Sequence, residues 1–116
     1  MLMKYFSISV LFFFLFVQAQ PEHHQFSHDG LSREYYLYIP DSLVTGAPLL
    51  FVFHGYSGSA NGIMNYSGLN QIADDNGFAV CYPQGLIDDW DYAFWNVGYD
   101  WHVDETVDDV GFSTSL

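Results

Sequence analysis

Hydrophobic positions recur along the chain with three different spacings. From Tyr5 to Val17 they form an almost unbroken apolar block. After Asp29-Gly30, Arg33, Tyr35, Leu37 and Ile39 alternate with Glu34, Tyr36 and Tyr38. That period of two, rich in aromatics, predicts a strand. Asp-Gly is a favoured turn pair, so Phe26 to Ile39 reads as a hairpin. Pro21 to Gln25 reads as a loose lead-in, and Pro40 ends the second strand. Leu49 to Phe53 (LLFVF) holds no polar residue, the pattern of a strand buried on both faces of a parallel sheet. Met64 to Asn76 places Leu69, Ile72 and Ala73 at helical spacing, with Asn76-Gly77 as its stop. Phe78 to Tyr82 (FAVCY) is a second buried strand. A hairpin followed by strand, helix and strand predicts an α/β fold: one βαβ unit with parallel strands beside a hairpin.

Beyond Pro83 no spacing persists. Pro83 to Glu105 is dense in Trp, Tyr, Asp and Gly. An irregular stretch of that length in a compact domain usually serves function. Thr106 to Leu116 reads as a helix start capped by Thr106, with Asp108 and Asp109 in the first turn, where negative charge is favoured. Val107, Val110 and Ser113-Thr114 are expected to face inward. That helix leads into no further strand, and the expected sheet keeps a bare edge. Residues 20–116 are therefore expected to be the N-terminal portion of a longer domain.

The first block has its own meaning. Lys4, the apolar run and the small residues around Val17-Gln18-Ala19 have the layout of a secretory signal, with residues 1–19 removed. The run is short for a bilayer span, which takes about 20 residues. Secretion to the extracellular space is expected, with no membrane attachment after cleavage. Beyond the leader, Arg33 is the single strong cation against 14 acidic residues. Such a surface repels phosphate backbones, so nucleic acid is excluded as a partner. One cysteine, Cys81, cannot form an internal disulfide and reads as a small buried hydrophobe.

The string HDGLSREYYLYIP…PLLFVFHGYSGSA…IADDNGFAVCYPQG…WN…VDDVGF, from Gly30 to Phe112, resembles the secreted polyhydroxybutyrate depolymerases and the related feruloyl and acetyl-xylan esterases. The resemblance implies the N-terminal part of an α/β-hydrolase fold and a serine hydrolase acting on a polymeric or small ester, with no cofactor. Such enzymes carry the nucleophile on a G-x-S-x-G elbow, followed by the acid and the histidine. Gly55-Tyr56-Ser57-Gly58-Ser59 ends in Ser where Gly is needed. Gly58-Ser59-Ala60-Asn61-Gly62 puts Ser one place early. None of the triad is expected within these residues.

The same resemblance gives His54-Gly55, after LLFVF, a different role. In α/β-hydrolases the loop at this place supplies half of the oxyanion hole from its backbone. The donor is assigned to the N–H of Tyr56, with that of Ser57 as second choice. His54 and Gly55 shape the loop, the His54 ring bracing it and Gly55 letting it turn sharply. Trp95 and Asn96 are candidates for a wall of the substrate cleft, where flat aromatics suit sugar or phenolic groups. Asp88, Asp89, Asp91, Asp100, Asp104 and Glu105 read as a solvated acidic face rather than a Ca²⁺ loop. His23, His24 and His28 belong to a terminus, and no metal site is expected. The competing reading is a non-catalytic secreted carbohydrate-binding module or pseudoenzyme that uses the aromatic stretch. A peptidase or lipase of the same fold is a third.

Overall fold

The structure is a computed structural model and describes residues 18–116. The leader at residues 1–19 therefore lies almost wholly outside the described residues. No described helix is long and apolar enough to cross a membrane.

The hairpin is longer than the pattern suggests. Strand β1 (Glu22–His28) pairs antiparallel with β2 (Leu31–Tyr38), His28 facing Leu31 across the turn. Asp29 and Gly30 both take positive φ, 51° and 75°, as a two-residue hairpin turn requires. The expected loose lead-in at Pro21–Gln25 is mostly strand. His23 stacks on Tyr36 and His24 on Tyr35 across the ladder, and these cross-strand ring pairs favour pairing at positions that a polar sequence hides.

Strand β3 (Leu49–Phe51) leads through two short helices, α1 (Ala60–Ser67) and α2 (Leu69–Asn76), into β4 (Ala79–Pro83). The sheet order is β1-β2-β4-β3, with β3 parallel and β2 antiparallel to β4. The α/β class and the βαβ unit are as predicted. Every residue of β4 is buried, because β4 is paired on both sides and covered by both helices. Strand β3 departs from expectation. It lies at the sheet edge, and Leu49 and Leu50 are 43% and 39% exposed. An apolar run reports capacity for burial, and here one flank has no partner among the described residues.

The single helix expected over Met64–Asn76 is two. Ser59 caps α1 by accepting the Gly62 N–H at 3.0 Å. Gly68, at φ 66°, then breaks the helix in a left-handed conformation before α2 restarts. The break moves the inward stripe to Ala60, Met64 and Ala73, with Leu69 partly covered, and leaves Ile72 exposed. Gly77 stops α2, its N–H donating to the Ala73 carbonyl at 2.8 Å.

Tyr38, Ala60, Met64, Ala73, Val80 and Tyr82 form the core. Both buried tyrosines find partners for their hydroxyls. Tyr38 donates to Asp74 and Tyr82 to Asn70, so the rings bury apolar area without stranding a polar atom. Cys81 lies in β4, where burial pushes its thiol up to about 12. It is a filler, not a nucleophile.

The stretch after β4 is more ordered than its spacing shows. Strands β5 (Leu86–Ile87) and β6 (Ala93–Phe94) make a small hairpin, followed by a 3₁₀ turn at Asp100–His102. Helix α3 (Asp109–Thr114) is capped by Asp108, whose carboxylate accepts the Gly111 N–H at 2.8 Å, and not by Thr106. Its buried residues are Asp109 and Phe112, whereas Val110 is 74% exposed. Of the residues expected to face inward, Val107 and Ser113 are half-buried while Val110 and Thr114 are exposed, because a buried ion pair of Asp109 with Arg33 sets the rotation of this helix.

Candidate active-site loop

The loop from His54 to Ser59 leaves the end of the β3 segment and enters α1. His54 is buried, and both of its ring nitrogens are engaged. The Gly85 N–H donates to Nε2 at 3.0 Å. A backbone N–H can only donate, so Nε2 is the acceptor and Nδ1 carries the proton. Nδ1–H then donates to the Gly55 carbonyl at 2.8 Å. The Gln84 amide adds a contact to Nε2 at 3.1 Å and, through Oε1, accepts the Ala60 N–H at 2.8 Å. The ring bridges the loop and the segment after β4, with the Nε2 lone pair taken by the Gly85 N–H.

The turn is tight. The Gly58 N–H donates to the Gly55 carbonyl at 2.9 Å. The left-handed residue is Ser57, at φ 60°, and not Gly55. Positive φ at the third position marks a type II turn, where glycine is usual. Ser57 is held there because its N–H donates to the Ala93 carbonyl of β6 at 2.8 Å. That bond uses the Ser57 N–H, the second candidate for an oxyanion donor. The Tyr56 N–H has no acceptor among the described residues. His54, Gly55, Ser57, Gly58, Ser59, Gly62, Ile63 and Tyr66 border an open recess of ≈ 360 Å³.

Trp95 and Asn96 are both tied into the fold by hydrogen bonds. The Trp95 indole N–H donates to the His54 carbonyl at 2.8 Å, and its ring meets Phe53 edge-on. The Asn96 side chain donates to the carbonyls of Glu105 and Val107. Its backbone N–H donates to Asp109 at 2.7 Å. With Phe53, Val97 and Val110 the two residues also line an apolar recess of ≈ 350 Å³.

Two polar centres escaped the reading of the sequence. Arg33 is 1% exposed, donates to Asp109 at 2.6 Å and lies over the Phe112 ring at 3.8 Å. The single Arg in an acidic chain was the available signal. Asp88 is the second. The sequence pattern places it among solvated acids, yet it is 6% exposed. Its carboxylate accepts from the Tyr56 hydroxyl at 2.7 Å, His102 Nε2 at 3.1 Å, and the N–H groups of Trp90 and Tyr92 at 3.0 Å each. Burial pushes the carboxyl up, but these donors outweigh it and hold it at about 2. The bond to Asp88, helped by burial, pushes the Tyr56 phenol up to about 12. Asp89, Asp91, Asp100 and Asp104 are exposed, as expected for a solvated face.

Among the described residues, His28, Asp29 and Asp108 bring donor atoms within 4.8 Å of one another. Asp29 and Asp108 are largely exposed, and Asp108 is already engaged as a helix cap.

No family model matches the chain. Feruloyl esterase B of Thermothelomyces thermophilus is 36% identical over 59 residues, which are 51% of this chain and 20% of that protein. The polyhydroxybutyrate depolymerase of Talaromyces funiculosus is 34% identical over 77 residues, 60% of this chain and 23% of its own length. The chain thus spans about a fifth of the length of these relatives. Among solved structures, the S-formylglutathione hydrolase of Staphylococcus aureus is similar with a TM-score of 0.51 at 20% identity, over 70% of this chain and 34% of that one. That likeness establishes a fold of the α/β-hydrolase type, of which the described residues make up a part.

Proposed function

We propose that this chain contributes half of the oxyanion hole to a secreted serine esterase that cleaves ester bonds of a polymer, of the polyhydroxybutyrate or feruloyl and acetyl-xylan type. The observation that carries the reading is the Tyr56 N–H. It has no acceptor among the described residues; of the other N–H groups in the turn, those of Ser57 and Gly58 are spent and that of Gly55 is free as well. Attack on an ester carbonyl places negative charge on its oxygen. A fixed N–H aimed at that oxygen stabilises the transition state more than the ground state, and one such donor is worth about 2.7–4 kcal/mol. His54 and Gly55 hold the turn, and the nucleophile, acid and histidine come from elsewhere in the protein. Partial similarity to two ester-cleaving enzymes supports the reaction class.

The test begins with the transcript. Reading past the Leu116 codon is expected to give a G-x-S-x-G elbow with a later Asp and His. The protein it encodes is expected to release p-nitrophenol from short acyl esters and to act on hydroxybutyrate or feruloyl esters. An open frame without that elbow, or a product inert on the whole ester panel, overturns the proposal.

One observation favours the competing reading of a binding module. Trp90, Tyr92, Tyr99 and Trp101 are each about half exposed, and the last two stack on one another. Retention of the purified chain on insoluble xylan, lost on Trp101→Ala, supports that reading; free passage through the column removes it.

A further inference from the structure

We propose that Asp88 is a positioning residue that fixes the Tyr56 N–H through the phenol of the same residue. The inference rests on the oxyanion reading of Tyr56 and extends it to what holds the donor still.

The loop is tied at three points. The His54 ring spans Gly55 and Gly85. The Ser57 N–H is fixed on Ala93 of β6. The Tyr56 hydroxyl is fixed on Asp88, in the turn between β5 and β6. The first two ties flank Tyr56 in the chain, and only the third grips its side chain. Both the Ser57 and Tyr56 ties end on the β5–β6 hairpin, so that hairpin sets the orientation of the Tyr56 peptide.

Asp88 is itself over-determined. Two backbone N–H groups on one oxygen fix its rotamer, and its other oxygen takes the Tyr56 phenol and His102. The Trp90 and Tyr92 N–H groups can only donate. With the carboxyl held at about 2 the group is a carboxylate, to which the Tyr56 phenol and His102 Nε2 then donate. His102 is buried, donates from Nε2, and its Nδ1 has no partner among the described residues. Phe94, Tyr99 and Trp101 surround its ring. A chain of contacts thus runs from the aromatic stretch through His102 and Asp88 to the oxyanion turn. Oxyanion stabilisation depends on donors that need no reorganisation when charge develops. A phenol held by a buried carboxylate supplies that rigidity.

The test separates this inference from the reaction itself. Backbone relaxation of the purified ¹⁵N-labelled chain is expected to give order parameters near ~0.85 at Gly55–Gly58, as for rigid backbone. Tyr56→Phe, which deletes one oxygen, is expected to lower them below ~0.6 there and to leave β4 unchanged. Asp88→Asn is expected to do the same and to move the His102 ring signals. A loop equally rigid in Tyr56→Phe, or already mobile in the parent chain, overturns the proposal whether or not the protein is an esterase. In an active product of the extended reading frame, Tyr56→Phe is expected to lower kcat about tenfold with KM within about twofold, since a loosened donor is felt mainly in the transition state. Unchanged kcat overturns the positioning role and leaves the esterase reading intact. An inert parent enzyme removes the esterase reading, and the relaxation data still decide the tie.

Discussion

Ser57 shows how much a single residue can conceal. In sequence it lies between Tyr56 and Gly58 after an apolar run, without the spacing of a nucleophile elbow. In the structure it is the strained member of a turn, at φ 60° with its N–H on Ala93. A left-handed non-glycine residue costs roughly 1–2 kcal/mol relative to glycine. Ser57→Gly is therefore expected to leave stability unchanged or raise it by up to about 1 kcal/mol in urea unfolding, because glycine's greater freedom when unfolded offsets part of the gain. A loss of more than that would mean the hydroxyl has a partner that matters. Asp88 supports a second prediction. Its folded carboxyl titrates at about 2 against an ordinary 3.8. A depressed carboxyl stabilises the fold above its unfolded value, and that contribution disappears as pH falls from 3.8 toward 2. The stability gap between the parent chain and Asp88→Asn is expected to be constant near neutral pH and to narrow in that acid window. A gap that does not change there would show that the charge is not what the four donors hold. Neither feature was legible beforehand. A single acid among six in an acidic stretch carries no mark of burial, and left-handed backbone is written plainly only where the residue is Gly, as at Gly30 and Gly77.

At the level of elements, legibility followed periodicity. The hairpin strand β2, the central strand β4 and the helix stop at Gly77 were readable because alternation, apolar runs and glycine each leave a local trace. Strands β5 and β6 have two residues each, too few for any period to register. Helix α3 failed differently. Its pattern offers Val110 as the inward residue, yet the structure buries Asp109. Arg33 on β2 lies 76 positions away in sequence and supplies the reason. A buried charge needs its partner, and no local window contains both. Arg33→Met is expected to cost about 3–5 kcal/mol in urea unfolding, since it strands the Asp109 carboxylate. Adding Asp109→Asn is expected to recover most of that loss. The amide still accepts the Asn96 N–H but carries no charge to compensate. If the double variant is as unstable as the sum of both singles, the two side chains act independently and the ion pair does not orient the helix.

For the molecule as a whole, charge and apolar surface pull in opposite directions. The formal net charge is −12, which keeps copies apart in solution. Strand β3, however, has an edge with no partner among the described residues, with Leu49 and Leu50 exposed, and the recess lined by Phe53, Trp95, Val97 and Val110 adds apolar area. Open edges of this kind recruit other strands. The balance turns on screening, because the Debye length is about 30 Å at 0.01 M salt and about 8 Å at 0.15 M. Repulsion between like-charged copies therefore fades over that range while apolar attraction persists. The purified chain is expected to sediment as a monomer at low salt and to self-associate as salt rises, or as pH falls into the carboxylate range. Leu50→Lys places a charge on the edge and is expected to delay association to higher salt without altering the far-ultraviolet spectrum. Its position in β3, exposed and far from β2, gives that substitution little core to disturb. A chain that stays monomeric at high salt would mean that the β3 edge is shielded. Association unaffected by Leu50→Lys would move the sticky surface to the recess beside Trp95, where Val110→Lys is the matching probe.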